Sequence, residues 1–303
     1  MKWCWILLAA LALAGCFEKS HGPSIADRPI RVVTTTGMIA DAAQNVGAGR
    51  VDVQPLMGPG TDPHLYKATA GEVRTLDGAD IILYNGLELE GRMAEIFDAM
   101  RSKRAVVAVA ANLHEQDLIT LAASKKDPHV WFDVQLWKQV VESIRDALIG
   151  LDPDHSERYN ENTRQYLSKL DELDAWAKRE FESIPRDQRV LVTAHDAFGY
   201  LGKRYGIEVL AIQGVSTATE ASAADIRRLA DVLSSRRIKA LFVESSVPQS
   251  TIEALQQAVK SRGWNIELGG ELFSDAMGAP GTDEGTYIGM FRHNVRTIVE
   301  ALR

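Results

Sequence analysis

Histidine is scarce in this 303-residue chain, seven in all, yet two of the seven stand in the same tripeptide. "GTDPHLY" carries Asp62, Pro63 and His64, and "DPHVWFD" carries Asp127, Pro128 and His129. Proline fixes its own φ and steers the residue before it away from helix, so each histidine rides on a stiff turn. The aspartate two positions earlier can accept a hydrogen bond from the loop backbone or from the free ring N–H of a ligating histidine. His195, directly after "RVLVTA", and Asp275, after "NIELGGELFS", complete a set of three imidazoles and one carboxylate. Such a set suits a divalent ion of hard to borderline character: neutral imidazole gives a nitrogen lone pair and the carboxylate gives one or two oxygens. Asp62, Asp127, Asp196 and Glu244 are candidates for holding those side chains in place, and each is equally a loop or helix-start carboxylate. Taken singly the four ligands also have ordinary readings. A loop histidine is a surface residue, Asp-Pro is a turn former, and Asp275 is a helix cap before "AMGAPGTDEG".

The elements around them decide between these readings. After position 29 the chain alternates short β-branched runs with amphipathic segments. "IRVVTTT" (30–36), "VDVQPLM" (51–57), "DIILYNG" (80–86) and "AVVAVA" (105–110) read as strands, with helices near 38–47, 68–79 and 92–100 between them. The pattern breaks for a helix over 134–149 and a long, charged one over 156–184, whose apolar residues Tyr159, Leu167, Leu170, Leu173 and Trp176 recur near helical spacing. It resumes with strands at 189–194, 208–214, 239–245 and 265–270 and helices near 196–205, 222–235, 249–261 and 284–302. The expected fold is α/β, with two similar (β/α) lobes of mostly parallel sheet joined by one long helix. The expected divisions are a signal over 1–15, a tether over 16–28, a lobe over 29–150, a helical linker over 151–185 and a second lobe over 186–303. Open parallel sheets bind ligands outside the carboxyl ends of their strands. His64, His129, His195 and Asp275 all fall there, two from each lobe, so an interlobe cleft would gather them. His21, His155 and His293 are assigned no role, and His114 is given to the surface.

The ends and totals narrow the setting. "MKWCWILLAALALAGC" has the layout of a secretory signal and is too short to span a bilayer. The only cysteines are Cys4 within it and Cys16 at its border, so disulfides and thiolate ligands are excluded from the folded part. The net charge of −7, or −8 once Lys2 leaves with the signal, gives no footprint for nucleic acid. His-Glu-x-x-His, Gly-x-Ser-x-Gly and P-loop motifs are absent, which speaks against an enzyme.

"GTDPHLY", "DPHVWFD", "TAHDAFGYLGKRYG", "QGVSTATEAS", "FVESSVP" and "GGELFSDAMG" together resemble the metal-binding receptors of ABC importers for zinc and manganese, the family of ZnuA-, PsaA- and TroA-type proteins. The likeness runs from about residue 30 to the C-terminus. It implies a rigid helix between the lobes, one Zn²⁺ or Mn²⁺ per chain on His64, His129, His195 and Asp275, and delivery to a membrane permease driven by an ATPase subunit. "LAGC" resembles a lipobox, implying cleavage before Cys16 and a lipid on its sulfur, hence a monomeric protein tethered on the periplasmic or outer face of a membrane. His195 stands where PsaA-type receptors carry Glu, and the long His-rich acidic loop of ZnuA-type proteins is missing between the first two ligands. Both departures point to the TroA-like branch. An adhesin-type lipoprotein with a structural metal and a zinc hydrolase are the rival readings.

Overall fold

The computed structural model describes residues 25–303; the signal segment, Cys16 and His21 lie outside the described residues. In the N-terminal half, β1 (Ile30–Thr34), β2 (Val51–Pro55), β3 (Ile81–Tyr84) and β4 (Ala105–Ala108) form a parallel sheet in the order β2-β1-β3-β4. The crossovers carry α1 (Gly37–Gly47), α2 (Ala70–Gly78) and α3 (Ala94–Arg101). Successive strand residues face opposite sides of a sheet. Ile30, Val32, Ile81 and Leu83 accordingly pack on the α1 side, while Val33 and Ile82 meet Leu76, Met93 and Phe97 on the other. A capping box between Thr69 and Glu72 starts α2.

Two helices follow, α4 (Val134–Leu151) and α5 (Ser156–Glu182). The 27 residues of α5 span about 40 Å at 1.5 Å per residue. Its buried stripe is Tyr159, Thr163, Tyr166, Leu170, Leu173, Ala177 and Phe181. Leu167 and Trp176, expected in that stripe, sit at its flank instead. The Tyr166 hydroxyl reaches Asp41 at 2.8 Å, which turns the buried face one position away from Leu167. Trp176 is at the edge because Arg292 and Arg296 lie over its ring.

The C-terminal half contains β5 (Val190–Thr193) paired with β6 (Glu208–Ala211) and β7 (Ala240–Glu244) paired with β8 (Glu267–Leu272), all parallel. β5 runs beside β7, so the expected second sheet is two parallel pairs side by side rather than one ladder. α6 (Gly199–Tyr205), α7 (Ala223–Arg236), α8 (Ser250–Lys260) and α9 (Tyr287–Leu302) complete it. One core runs from β1 and β3 through α1, α4 and α5 to α9, Leu191 and Phe242, so the long helix is a buried partner of both lobes. Fully burying one large apolar side chain is worth about 1.5–3 kcal/mol. Splaying the lobes apart would re-expose several, which favours local movement at the cleft over wide opening.

Candidate metal centre

Each expected ligand is carried past the carboxyl end of a strand. His64 lies in the connection between β2 and α2, His129 immediately before a short 3-10 turn (Val130–Phe132) that leads to α4, His195 just after β5 and Asp275 just after β8. The four come together from separate parts of the chain and are 6%, 0%, 0% and 2% exposed. His64 Nε2 is 3.3 Å from His129 Nε2 and 3.7 Å from Asp275 Oδ2. Asp275 Oδ1 is 3.4 Å from His129 Nε2, and Oδ2 is 3.3 Å from His195 Nε2. Four tetrahedral ligands about 2.0–2.1 Å from one ion would be roughly 3.3–3.4 Å from each other. The spacing is that of a coordination shell.

The hydrogen bonding explains why the Nε2 atoms are the ones that face inward. Asp127 Oδ1 accepts from the His129 backbone N–H at 2.9 Å and lies 2.7 Å from Nδ1, which holds a proton on Nδ1 and makes Nε2 the nitrogen that ligates once its own proton leaves. Glu244 stands in the matching place at His195: Oε1 accepts from the backbone N–H groups of Ala194 and His195 at 2.8 and 2.9 Å, and Oε2 lies 2.6 Å from Nδ1 as a charge partner rather than an aligned hydrogen bond. His195 Nε2 and both Asp275 oxygens are buried without a hydrogen-bond partner. Such a buried convergence is costly unless positive charge, from ring protons or from a bound cation, satisfies it. The donor set therefore fits a divalent ion, with both carboxylate oxygens in reach.

Electrostatics separate the three rings. Burial pushes His64 down to about 4, so it is neutral and ready to ligate. Burial also opposes charge on His129, but the Asp127 and Asp275 carboxylates outweigh it and raise this ring to about 9. At His195 the same burial penalty is overcome by Glu244 and Asp275, which hold it well above its usual value. Asp275, whose burial alone would raise it, is held well below the usual carboxylate range by His195 and His129.

The remaining sequence candidates divide. Asp127 and Glu244 touch ligand rings. Asp62 does not: its Oδ1 accepts from the His64 backbone N–H at 2.8 Å and its Oδ2 from the Thr217 hydroxyl at 2.6 Å. The Asp196 carboxylate makes no hydrogen bond or ion pair with any of the four; its backbone N–H donates to Gly214 O at 3.3 Å, and burial raises its carboxyl. Sequence reasoning missed the residues that tie His129 to the opposite lobe. Trp131 Nε1 donates to Ser274 O (3.0 Å), the Tyr287 hydroxyl to Trp131 O (2.8 Å) and the Tyr200 hydroxyl to Asp127 O (2.9 Å), while Phe132 packs on Phe198. The available signal was the apolar "VWF" directly after the second Asp-Pro-His. His155 pairs with Asp152, His293 with Glu271 O, and His114 is exposed. A cleft of about 670 Å³ lined from both lobes, including Glu88, Lys125, Gln213 and Ser216, reaches the centre at His64.

Two lobes about a buried helix, with a closed three-histidine, one-aspartate cluster between them, define the class of metal-binding receptors that serve ABC importers. The profile described as "Zinc-uptake complex component A periplasmic" matches residues 32–301, and the chain belongs to that family. It is 50% identical over 301 residues to "Zinc-binding protein TroA" of Treponema pallidum (strain Nichols), covering 99% of this chain and 97% of that one. It is 45% identical over 299 residues to "Manganese-binding lipoprotein MntA" of Bacillus subtilis (strain 168), covering 98% and 97%. The solved structure of the periplasmic zinc-binding protein TroA from Treponema pallidum superposes with a TM-score of 0.89 at 51% identity, covering 90% of this chain and 99% of that one.

Proposed function

We propose that the chain is an extracytoplasmic receptor that captures one Zn²⁺ or Mn²⁺ on His64 Nε2, His129 Nε2, His195 Nε2 and the Asp275 carboxylate, then delivers it to the permease and ATPase of an ABC importer. The observation that carries this reading is the buried convergence of three imidazoles and one carboxylate, each offering a ligand atom within 4.8 Å of the others. Four protein donors close a tetrahedral shell, whereas a catalytic site keeps a position for water or substrate. Such a closed site speaks against turnover, and membership of the zinc-uptake family favours capture for transport over a purely structural ion. Imidazole-rich sites hold Zn²⁺ more tightly than Mn²⁺ in the divalent series. The second Asp275 oxygen offers a fifth donor to an ion that prefers more ligands.

The "LAGC" segment is read as the lipidation signal, with Cys16 carrying the lipid that tethers the monomer to the membrane face. No helix among the described residues is long and apolar enough to cross a membrane, which suits attachment through that N-terminus. The test is competition between Zn²⁺ and Mn²⁺ for metal-stripped protein beginning after Cys16, with His195→Ala as control. One ion per chain in the parent, lost in the variant, is the expected result. A parent that binds neither ion, or a variant that binds as well as the parent, would overturn the assignment.

A further inference from the structure

The two Asp-Pro-His turns present the same ligand atom but are anchored differently. At His129 a carboxylate grips the ring on Nδ1. At His64 the matching aspartate, Asp62, turns away from the ring: one oxygen takes the His64 backbone N–H, and the other crosses to the opposite lobe and takes the Thr217 hydroxyl at 2.6 Å. No helix or strand separates Pro55 from Ala70. The base of this connection is tied within its own lobe, where the Tyr66 hydroxyl donates to Glu72 Oε1 (2.5 Å) and Arg92 to Leu65 O (3.3 Å). Its tip leans on the other lobe at a second point. Gly60 has φ +70°, and a Cβ there would stand 3.2 Å from the carbonyl oxygen of Ser245, so both the backbone conformation and the close approach call for glycine. His64 is also the most exposed of the four ligands and borders the cleft, while Asp275 opens on a second, smaller pocket lined by Gly58 and Pro59 of the same connection.

We propose that residues 58–66 form a strap that closes the metal centre, with Thr217 as its latch and Gly60 as its seat on the opposite lobe. The inference rests on the receptor reading and extends it to the question of how the ion is retained. While the Thr217–Asp62 hydrogen bond holds, the His64 backbone is fixed and its Nε2 stays in the shell. When it breaks, the strap swings on its base, His64 leaves with it, and the ion is left on the three donors that the rest of the fold still positions. Thr217 touches no ligand atom; it is a positioning residue that acts through Asp62. Its removal should raise the rate of ion loss far more than it changes the stability of the ion-free fold.

The experiment is release of Zn²⁺ from the loaded protein into excess chelator, followed by stopped flow, for the parent, Thr217→Val, Thr217→Ser and Gly60→Ala. Thr217→Val keeps the shape and deletes the donor. It should release the ion about tenfold faster, on the scale of one hydrogen bond to a charged group, while binding one ion per chain and melting with the parent when ion-free. Thr217→Ser restores the hydroxyl and should restore slow release; Gly60→Ala, which lifts the tip, should release faster than the parent. If the parent holds an ion and Thr217→Val releases it at the parent's rate, the latch is wrong and the receptor reading stands. The latch is equally wrong if Thr217→Ser is as fast as Thr217→Val, or if faster release is matched by an equal loss of ion-free stability. A parent that holds no ion overturns the receptor reading and the latch with it.

Discussion

The segment around His129 and the segment around His64 begin from the same three residues and reach opposite mechanical states. Behind His129 the chain runs into Val130, Trp131 and Phe132, all buried, and three cross-lobe hydrogen bonds join Asp127, Trp131, Ser274, Tyr200 and Tyr287. Behind His64 it runs into Leu65, 40% exposed, and one cross-lobe hydrogen bond carries the tip. A binding site that must be selective and also let go of its cargo benefits from both. The locked side presets the coordination shell, and the lightly held side admits and releases the ion without parting the shared core. The tripeptide stiffens the turn in either case; the residues immediately C-terminal to it decide whether the turn is immobilised.

The largest test of this contrast is packing. Phe132→Ala removes a fully buried ring that packs on Phe198, and should cost about 3–5 kcal/mol in chemical denaturation of the ion-free protein. A cost below about 1 kcal/mol, ordinary for a surface change, would mean that the His129 side is not locked. Next comes the ring clamp. Asp127→Asn replaces the acceptor that fixes the His129 tautomer and should weaken Zn²⁺ binding about 10–100-fold. Asp62→Asn grips no ring and should weaken equilibrium binding by less; equal losses in calorimetric titration would erase the difference between the two turns.

The pH dependence sharpens the comparison further. His129 is raised to about 9 and His195 well above its usual value, so both rings hold protons in the ion-free site near neutrality. His64 is lowered to about 4 and holds none. Ligating imidazole must be bare, so ion binding expels protons and affinity rises with pH. Between about pH 6 and 8 roughly one to two protons should leave per ion, with binding weakening about tenfold per unit fall in pH for each proton released. Calorimetry in buffers of different ionisation enthalpy counts them, and a count of zero would contradict the assigned charge states. The smallest effect is expected at Leu65→Ala, within about 0.5 kcal/mol of the parent in denaturation, as suits a partly exposed side chain on the strap.

Much of this arrangement is legible in the amino-acid order. Strand and helix periodicity, together with the rule that ligands gather at strand carboxyl ends, brings His64, His129, His195 and Asp275 to one cleft. The parts that escape are those that depend on orientation. Both Asp-Pro-His turns suggest a carboxylate near a histidine ring, yet Asp127 takes the ring and Asp62 takes Thr217, a residue 155 positions away. Asp196 adjoins a ligand in sequence, yet its carboxylate makes no hydrogen bond or ion pair with any of the four. The stripe of α5 departs from expectation at Leu167 because Tyr166, whose hydroxyl reaches Asp41, occupies the neighbouring core position, and at Trp176, which lies at the edge under Arg292 and Arg296. The division of the second sheet into two pairs has no signature in the strand sequences, since each strand reads the same whether its neighbour forms a ladder or only packs beside it.

The assignment stands or falls on these four side chains, and no other set, holding the ion. A crystal structure of the zinc-loaded protein, with anomalous scattering recorded on both sides of the zinc edge, settles the point. One peak per chain is expected, about 2.0–2.2 Å from the Nε2 atoms of His64, His129 and His195 and from the Asp275 carboxylate. A peak on His114, His155 or His293 with the interlobe cluster unoccupied would contradict it.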